Sequence, residues 1–419
     1  MSANVYRVVV VGAGMAGVAT AKALLASDHF SAEDICVLEA QHRIGGRIHT
    51  RPFSDELPVK VEAGAAWIHG TQGNPMAELV REFGIELKEI SARNPWLHPS
   101  SCPGFVIYEG SRQLTEHEVN ETWEWQDSLL RKLQELALSG KVEGKALDGT
   151  VEQLLTEDAE LREILASNTN ARKRLALCLH LVETWMGNSS DEMQIDAFGE
   201  IDLMGFTADR VVVTCSLGFL KSGKLHFQPE LPLAKADVIS RSQMGQCMKI
   251  MVQFPKAFWP KNASFITQIN NTPEFKDNET PRIYFPVIFS YYATKGVPIL
   301  EGDLVGDKAR AISDALSDDE IAHALFLQLQ DTFGAEIPKP VDHFITRWDQ
   351  DEWAQGAYSS VTVASTYEDP DMLRHSVANR IFFAGEATNY EYQGALQAAY
   401  LSGHQAADEI IRAEASCTS

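Results

Sequence analysis

Short apolar runs and amphipathic stretches succeed one another along the chain, and the change of period marks the elements. Tyr6–Val11 is a β-branched apolar run bounded by glycine, which predicts a buried parallel strand. Val18–Ser27 is alanine-rich and predicts a helix, and a second apolar run, Ile35–Leu38, ends on Glu39. Val59–Val61 predicts a short strand, and Asn74–Phe83 a helix with proline at its first position and Gly84 as its stop. From about residue 90 the pattern turns helical. A strand at Phe105–Tyr108 precedes a long polar helix, Thr115–Leu138, stopped by Ser139-Gly140. Further helices begin at Thr150 and span Ala171–Met186, where Leu175, Leu179 and Val182 share a face.

Strand patterning returns at Arg210–Thr214 and at Met248–Phe254, where Ile250, Val252 and Phe254 alternate. Arg282–Tyr292 and Ile299–Val305 read as paired strands, and Val341–Arg347 as another. Asp318–Asp331 is an amphipathic helix with Ile321, Leu325 and Leu329 on one stripe. Arg380–Phe383 predicts a strand running into Gly385-Glu386, and Tyr392–Gly403 starts a helix.

The first of these runs carry chemistry. Gly12-Ala-Gly14-Met-Ala-Gly17 stands between the first strand and the first helix, and Glu39 follows the second strand about 20 residues on. Glycines at that spacing allow a tight turn, close approach of backbone to a pyrophosphate, and close packing of helix on strand. The helix N-terminus offers free N–H groups to phosphate, and the acid accepts from a ribose hydroxyl. The pattern predicts a dinucleotide site.

Composition narrows the partners. The 419 residues suffice for two domains. A hydrophobic content of 45% and a charged content of 22% are those of a globular protein. The net charge of −22 argues against nucleic acid or an anionic membrane and suits a cationic substrate. Cys36, Cys102, Cys178, Cys215, Cys247 and Cys417 show no CxxC spacing, so reduced structural thiols, no metal site and a cytoplasmic setting are expected. No run reaches membrane-spanning length, and with a strand from Tyr6 no signal peptide is expected.

Five further blocks go together: Arg43-Ile-Gly45-Gly46-Arg47; Glu62-Ala-Gly64-Ala65-Ala-Trp67-Ile-His69-Gly70; Met248-Lys249 with Phe258-Trp259; Trp348 to Ser359; and Gly385-Glu386 with Gly394-Ala395-Leu396. In combination they resemble the flavin-dependent amine oxidases, and within them the polyamine oxidases. The resemblance implies an α/β fold: a discontinuous Rossmann-like FAD-binding domain (1–85, 206–235 and 375–419) and an α+β substrate-binding domain with a mixed sheet and helices (86–205 and 236–374). It implies that FAD is held by Gly12, Gly14, Gly17, Glu39, Gly45, Gly46, Arg47, Gly64, Ala65, Trp67, Trp348, Gly385, Glu386, Gly394, Ala395 and Leu396. Lys249 then reaches flavin N5 through a water, Tyr358 forms one wall of an aromatic cage, and His69 meets the substrate near its tunnel. A small residue at Ala395, where monoamine oxidases place a second tyrosine, points to polyamines.

The implied reaction is oxidation of spermine, spermidine or an acetylated form by hydride transfer to N5, with oxygen as acceptor and aldehyde, amine and hydrogen peroxide as products. No chromatin-binding or tower-like segment is visible, which points away from a histone demethylase. One departure stands out. Ile201–Gly205 runs straight into Phe206, and the few dozen residues that the family carries there, with strands contacting the adenine end of FAD, are missing. A second reading therefore stays open: a truncated, non-catalytic relative with weak or no FAD binding.

Overall fold

The computed structural model describes residues 4–91, 95–96, 98–138, 147–186, 206–228, 230–269, 283–360, 362 and 365–417. The expected helix stop at Ser139-Gly140 and the segment Ile201–Gly205 lie outside the described residues. In chain order the strands are β1 (Asn4–Val11), β2 (Ile35–Leu38), β3 (Thr50–Pro52), β4 (Lys60–Glu62), β5 (Phe105–Glu109), β6 (Arg112–Gln113), β7 (Phe206–Val213), β8 (Gln243–Gly245), β9 (Cys247–Gln253), β10 (Phe265–Ile269), β11 (Ile288–Ser290), β12 (Ile299–Val305), β13 (Asp342–Ile345), β14 (Tyr358–Ser360) and β15 (Ile381–Phe383).

The chain forms two compact units. The first takes Met1–Ile85, Gln194–Gly245 and Trp348–Ser419; the second takes Glu86–Met193 and Gln246–Arg347. At the heart of the first unit is a parallel sheet of order β15-β7-β1-β2. Toward their C-terminal ends its strands are apolar runs, and helices pack on them. Val8, Val10, Val212 and Phe382 meet Leu24 of the helix Met15–Leu25 and Ala407 and Ile410 of the helix Leu396–Cys417. The two helices approach so closely that a Cβ on Gly403 would lie 2.4 Å from the Ala16 carbonyl.

The second unit holds a seven-stranded mixed sheet, β13-β9-β12-β11-β10-β5-β6, in which β10 and β5 run parallel and the other pairs antiparallel. Ile250 and Val252 of β9, and Phe254 just after it, pack with Leu300 against Ile321, Leu325 and Leu329 of the helix Asp318–Phe333. Burying one such aliphatic side chain contributes roughly 1.5–3 kcal/mol, which explains why the helical stripe is legible in the sequence. Ser317 caps that helix and Glu320 returns the bond, a closed capping box.

Two expectations are corrected. Residues 236–245 and 348–374, assigned to the substrate domain, belong to the first unit. The Trp348 indole N–H donates to the Ala63 carbonyl at 2.9 Å, and β14 pairs with β8. Of the expected strand Arg282–Tyr292, Arg282 lies outside the described residues, and within the rest the strand is β11, Ile288–Ser290. Tyr291 starts a one-turn helix, Tyr291–Lys295, closed by Gly296 in the left-handed region. Among the described residues no helix is long and apolar enough to cross a membrane.

Candidate functional site

The parallel strands of the first unit point their C-terminal ends at one set of loops. After Val11 the backbone turns at Gly12, whose φ of +110° disfavours any other residue. The helix Met15–Leu25 begins directly behind it, with Gly14 as N-cap. A Cβ on Gly17 would stand 2.0 Å from the Gly12 carbonyl, so the helix seats against the turn only because position 17 is glycine. Just after β7, the Thr214 hydroxyl donates to the Val11 and Gly12 carbonyls at 2.8 and 3.2 Å. Glu39, at the end of β2, accepts from the Ala13 N–H at 2.8 Å and the Gln41 N–H at 2.9 Å, one bond on each oxygen. A carboxylate has about four lone-pair directions, so two remain for hydroxyl donors. The first helical N–H groups have no partner within the helix. Turn, helix end and acid together fit the phosphates and ribose of a dinucleotide.

The Gly45-Gly46-Arg47 turn is stapled to this cradle, since the Gly45 N–H donates to the Ala13 carbonyl at 2.9 Å. A Cβ on Gly64 would lie 1.9 Å from the Arg47 carbonyl, which also accepts from the Ala65 N–H at 3.2 Å. Arg47 pairs with buried Glu386 at 2.7 Å and donates to the Ala357 carbonyl at 3.1 Å. Glu386 also accepts from the Ser359 N–H at 3.2 Å, the Ser359 hydroxyl at 2.5 Å and the Gly394 N–H at 3.0 Å. One carboxylate thus gathers three segments far apart in sequence. It lines a small cleft with Arg47, Cys215, Phe383, Gly385 and Thr388. Tyr358 lies over Gly394, whose Cβ position is 3.3 Å from the ring. The Ala395 N–H donates to the Tyr392 carbonyl, and Leu396 opens the last helix.

The structure therefore brings together Gly12, Gly14, Gly17, Glu39, Gly45, Gly46, Arg47, Gly64, Ala65, Trp348, Tyr358, Gly385, Glu386, Gly394, Ala395 and Leu396 within the first unit. Trp67 is half-buried on the segment that follows Gly64. His69 is reached by solvent, and its carbonyl is held by the Asn74 amide at 3.2 Å. Crowding of the imidazole by protein still pulls its pKa below the usual histidine value, so it stays neutral at physiological pH. Cys215, close by, is inert: burial pushes its thiol up to about 12.

Lys249 belongs to the second unit, buried on β9. Its Nζ lies 3.3 Å from Glu301 Oε1 on β12, and Asp303 is its direct partner across the strand pair. Sequence reasoning missed both acids, and it missed Ser359. The signal for the acids was present: Glu301 and Asp303 put charge at alternate positions of the otherwise apolar run Ile299–Val305.

Comparison with known proteins places these features in context. The family model described as flavin containing amine oxidoreductase matches residues 15–204 and 191–411. Lysine-specific histone demethylase 1 homolog 1 of Arabidopsis thaliana is 28% identical over 462 positions, covering 97% of this chain and 52% of that protein. Probable polyamine oxidase 4 of Arabidopsis thaliana is 26% identical, covering 97% of this chain and 87% of that protein. The chain spans about half the length of the demethylase homologues it matches. A solved structure of wild-type putrescine oxidase bound to putrescine superimposes with a TM-score of 0.68 at 17% identity, over 97% of this chain and 99% of that one. The demethylase alignment has 462 positions, whereas 97% of 419 residues is about 406, so some fifty-odd positions have no residue here.

Proposed function

Because the chain belongs to the flavin containing amine oxidoreductase family, we propose that it is an FAD-dependent oxidase of aliphatic polyamines, with oxygen as acceptor. The observation that supports the substrate class is Ala395, next to the Gly394 on which Tyr358 packs directly. With a small residue where monoamine oxidases place a second tyrosine, an aromatic amine has no second ring to stack on, whereas an unbranched alkyl amine needs none. The net charge of −22 favours arrival of a polycation.

When bound, FAD supplies the two-electron chemistry at the carbon next to nitrogen. The protein's share is binding and orientation. Gly12, Gly14 and Gly17 admit the pyrophosphate, Glu39 takes the ribose hydroxyls, and Arg47 adds positive charge beside the phosphates. Glu386 locks Arg47, Ser359 and Gly394 in one geometry, so the Tyr358 wall and the N-terminus of the last helix keep a fixed relation. The amine has to be neutral to react, and His69, itself neutral, offers a polar contact without repelling the cation that arrives. Lys249 stands as the cation that serves the flavin.

A second substrate class has a specific observation behind it: demethylase homologues match this chain as closely as the polyamine oxidase does. An N-methylated lysine side chain is also an unbranched alkyl amine. The deciding measurement is peroxide release from the FAD-supplemented protein with spermine, N-acetylspermine, benzylamine and a dimethyl-lysine peptide. We expect spermine or its acetyl form to lead. Faster turnover of benzylamine overturns the polyamine reading, and faster turnover of the peptide moves the assignment to the demethylase class.

A further inference from the structure

Lys249 is on the face of β9 opposite Ile250 and Val252, because strand side chains alternate. Asp303 is opposite it on β12, and Glu301, two residues earlier, shares that face. Glu301 is only 3% exposed and Lys249 only 8%. Tyr291, also buried, donates its hydroxyl to Glu301 Oε2 at 2.8 Å, leaving Oε1 for the lysine at 3.3 Å. Asp303 Oδ1 is buried and takes no hydrogen bond among the described residues. Three ionisable side chains and a phenol thus converge at one buried point of the sheet.

A lone ammonium in such a place sheds its proton. Burial does pull Lys249 down, but the charges of Glu301 and Asp303, helped by nearby Cys247, outweigh it, and the net direction is above an ordinary lysine. Burial and then the Glu301 charge push the Asp303 carboxyl upward, with Lys249 opposing.

We propose that Glu301, braced by Tyr291, and Asp303 are positioning residues that fix Lys249 as a permanent cation at one point of the sheet. What that cation is for rests on the reading of Lys249 given above; the anchoring does not. Without the acids the lysine becomes a neutral, movable amine. With them it offers charge and a hydrogen bond but does not act as a base.

Trace acetylation of the purified full chain tests this. Acetic anhydride is applied at a series of pH values, and the peptide carrying Lys249 is quantified by mass spectrometry, with exposed Lys308 as internal reference. In the wild type the Lys249 labelling midpoint is expected above that of Lys308. In Glu301→Gln it is expected to fall by at least about one pH unit, the size of a single close charge. Asp303→Asn is expected to give a smaller fall. An unmoved midpoint in Glu301→Gln overturns the proposal. Should that variant fail to fold, Tyr291→Phe removes only the brace and is read in the same way: a lower midpoint supports the proposal and an unchanged one overturns it. Stopped-flow flavin reduction and reoxidation in Lys249→Met address the other reading alone. Wild-type rates in both half-reactions remove the catalytic role of the lysine and leave the labelling result to decide its anchoring.

Discussion

Glu386 accepts hydrogen bonds from Arg47, from the backbone and hydroxyl of Ser359, and from Gly394, while only 6% of it is exposed. A buried charge of this kind stabilises little in sum, but removing it strands its partner. Breaking such a pair typically costs 3–5 kcal/mol. The Arg47 side chain keeps 24% exposure, so water recovers part of that. Glu386→Gln, which keeps the shape and loses the charge, is expected to cost roughly 2 kcal/mol. Urea unfolding of the two proteins measures it, and equal midpoints would show that the carboxylate is dispensable to the fold. At this scale the sequence was legible where backbone geometry leaves one residue type: Gly12 needs its positive φ and Gly17 its missing Cβ. It marked Glu301 and Asp303 only as charges within an apolar run and gave no sign of Ser359. Their partners are chosen by strand register and by contacts across long stretches of chain, which no local pattern encodes.

Between elements, the helix Leu233–Arg241 is tied to the helix Asp369–Arg374 by Arg241 and Asp369, with one contact at 2.5 Å. Thr366 adds its N–H at 2.9 Å and its hydroxyl at 2.5 Å to the same carboxylate. Burial pushes Asp369 upward, but Arg241 and Thr366 outweigh it, and its pKa lies below the ordinary aspartate value. The sign follows. Unfolded aspartate titrates near 3.9; above that, the stabilising interaction is fully present, and it is lost as pH falls through the lower folded value. Asp369→Asn is therefore expected to cost about 2 kcal/mol at pH 7 and progressively less below about pH 4. Chemical denaturation at pH 7 and pH 3 reads the difference; a gap that does not narrow in acid would contradict the assignment. Elements were most legible where a cap and a periodic stripe agree, as at Ser317–Glu320 and Asn74-Pro75. The run Arg282–Tyr292 failed because Tyr291 leaves the strand pattern to reach Glu301. Trp348 to Ser360 was assigned to the wrong unit because its allegiance is set by Ala63 and β8, hundreds and a hundred residues away in the chain.

For the whole molecule the question is how much FAD the first unit holds. In the sheet β7 is paired with β1 from Phe206 onward and with β15 at Val211–Val213. Among the described residues the outer strand near the acid is β2, which pairs with β1 alone, and Val37 on it is 39% exposed. Glu39 ends that strand, so the ribose position borders the bare edge, and whatever meets the adenine has to come from beyond it. The two segments matched by the family model meet at residues 191–204, and the relatives carry some fifty-odd positions more. We place the missing stretch between Gly205 and Phe206 and assign it to this edge. The residues expected on the phosphate side, from Gly12 through Arg47 to Glu386, lie in the first unit; the backbone donors expected at the adenine side belong to the missing stretch. At about 1 kcal/mol for each lost hydrogen bond, affinity falls by one to a few powers of ten. An unpaired edge with an exposed valine also lowers stability and invites association. The protein is therefore expected to purify with less than one flavin per chain and to gain flavin absorbance on titration with FAD. A full complement of tightly held flavin would show that the adenine strands are dispensable. No uptake at any FAD concentration would leave the non-catalytic reading, in which the fold survives without the chemistry that the cofactor brings.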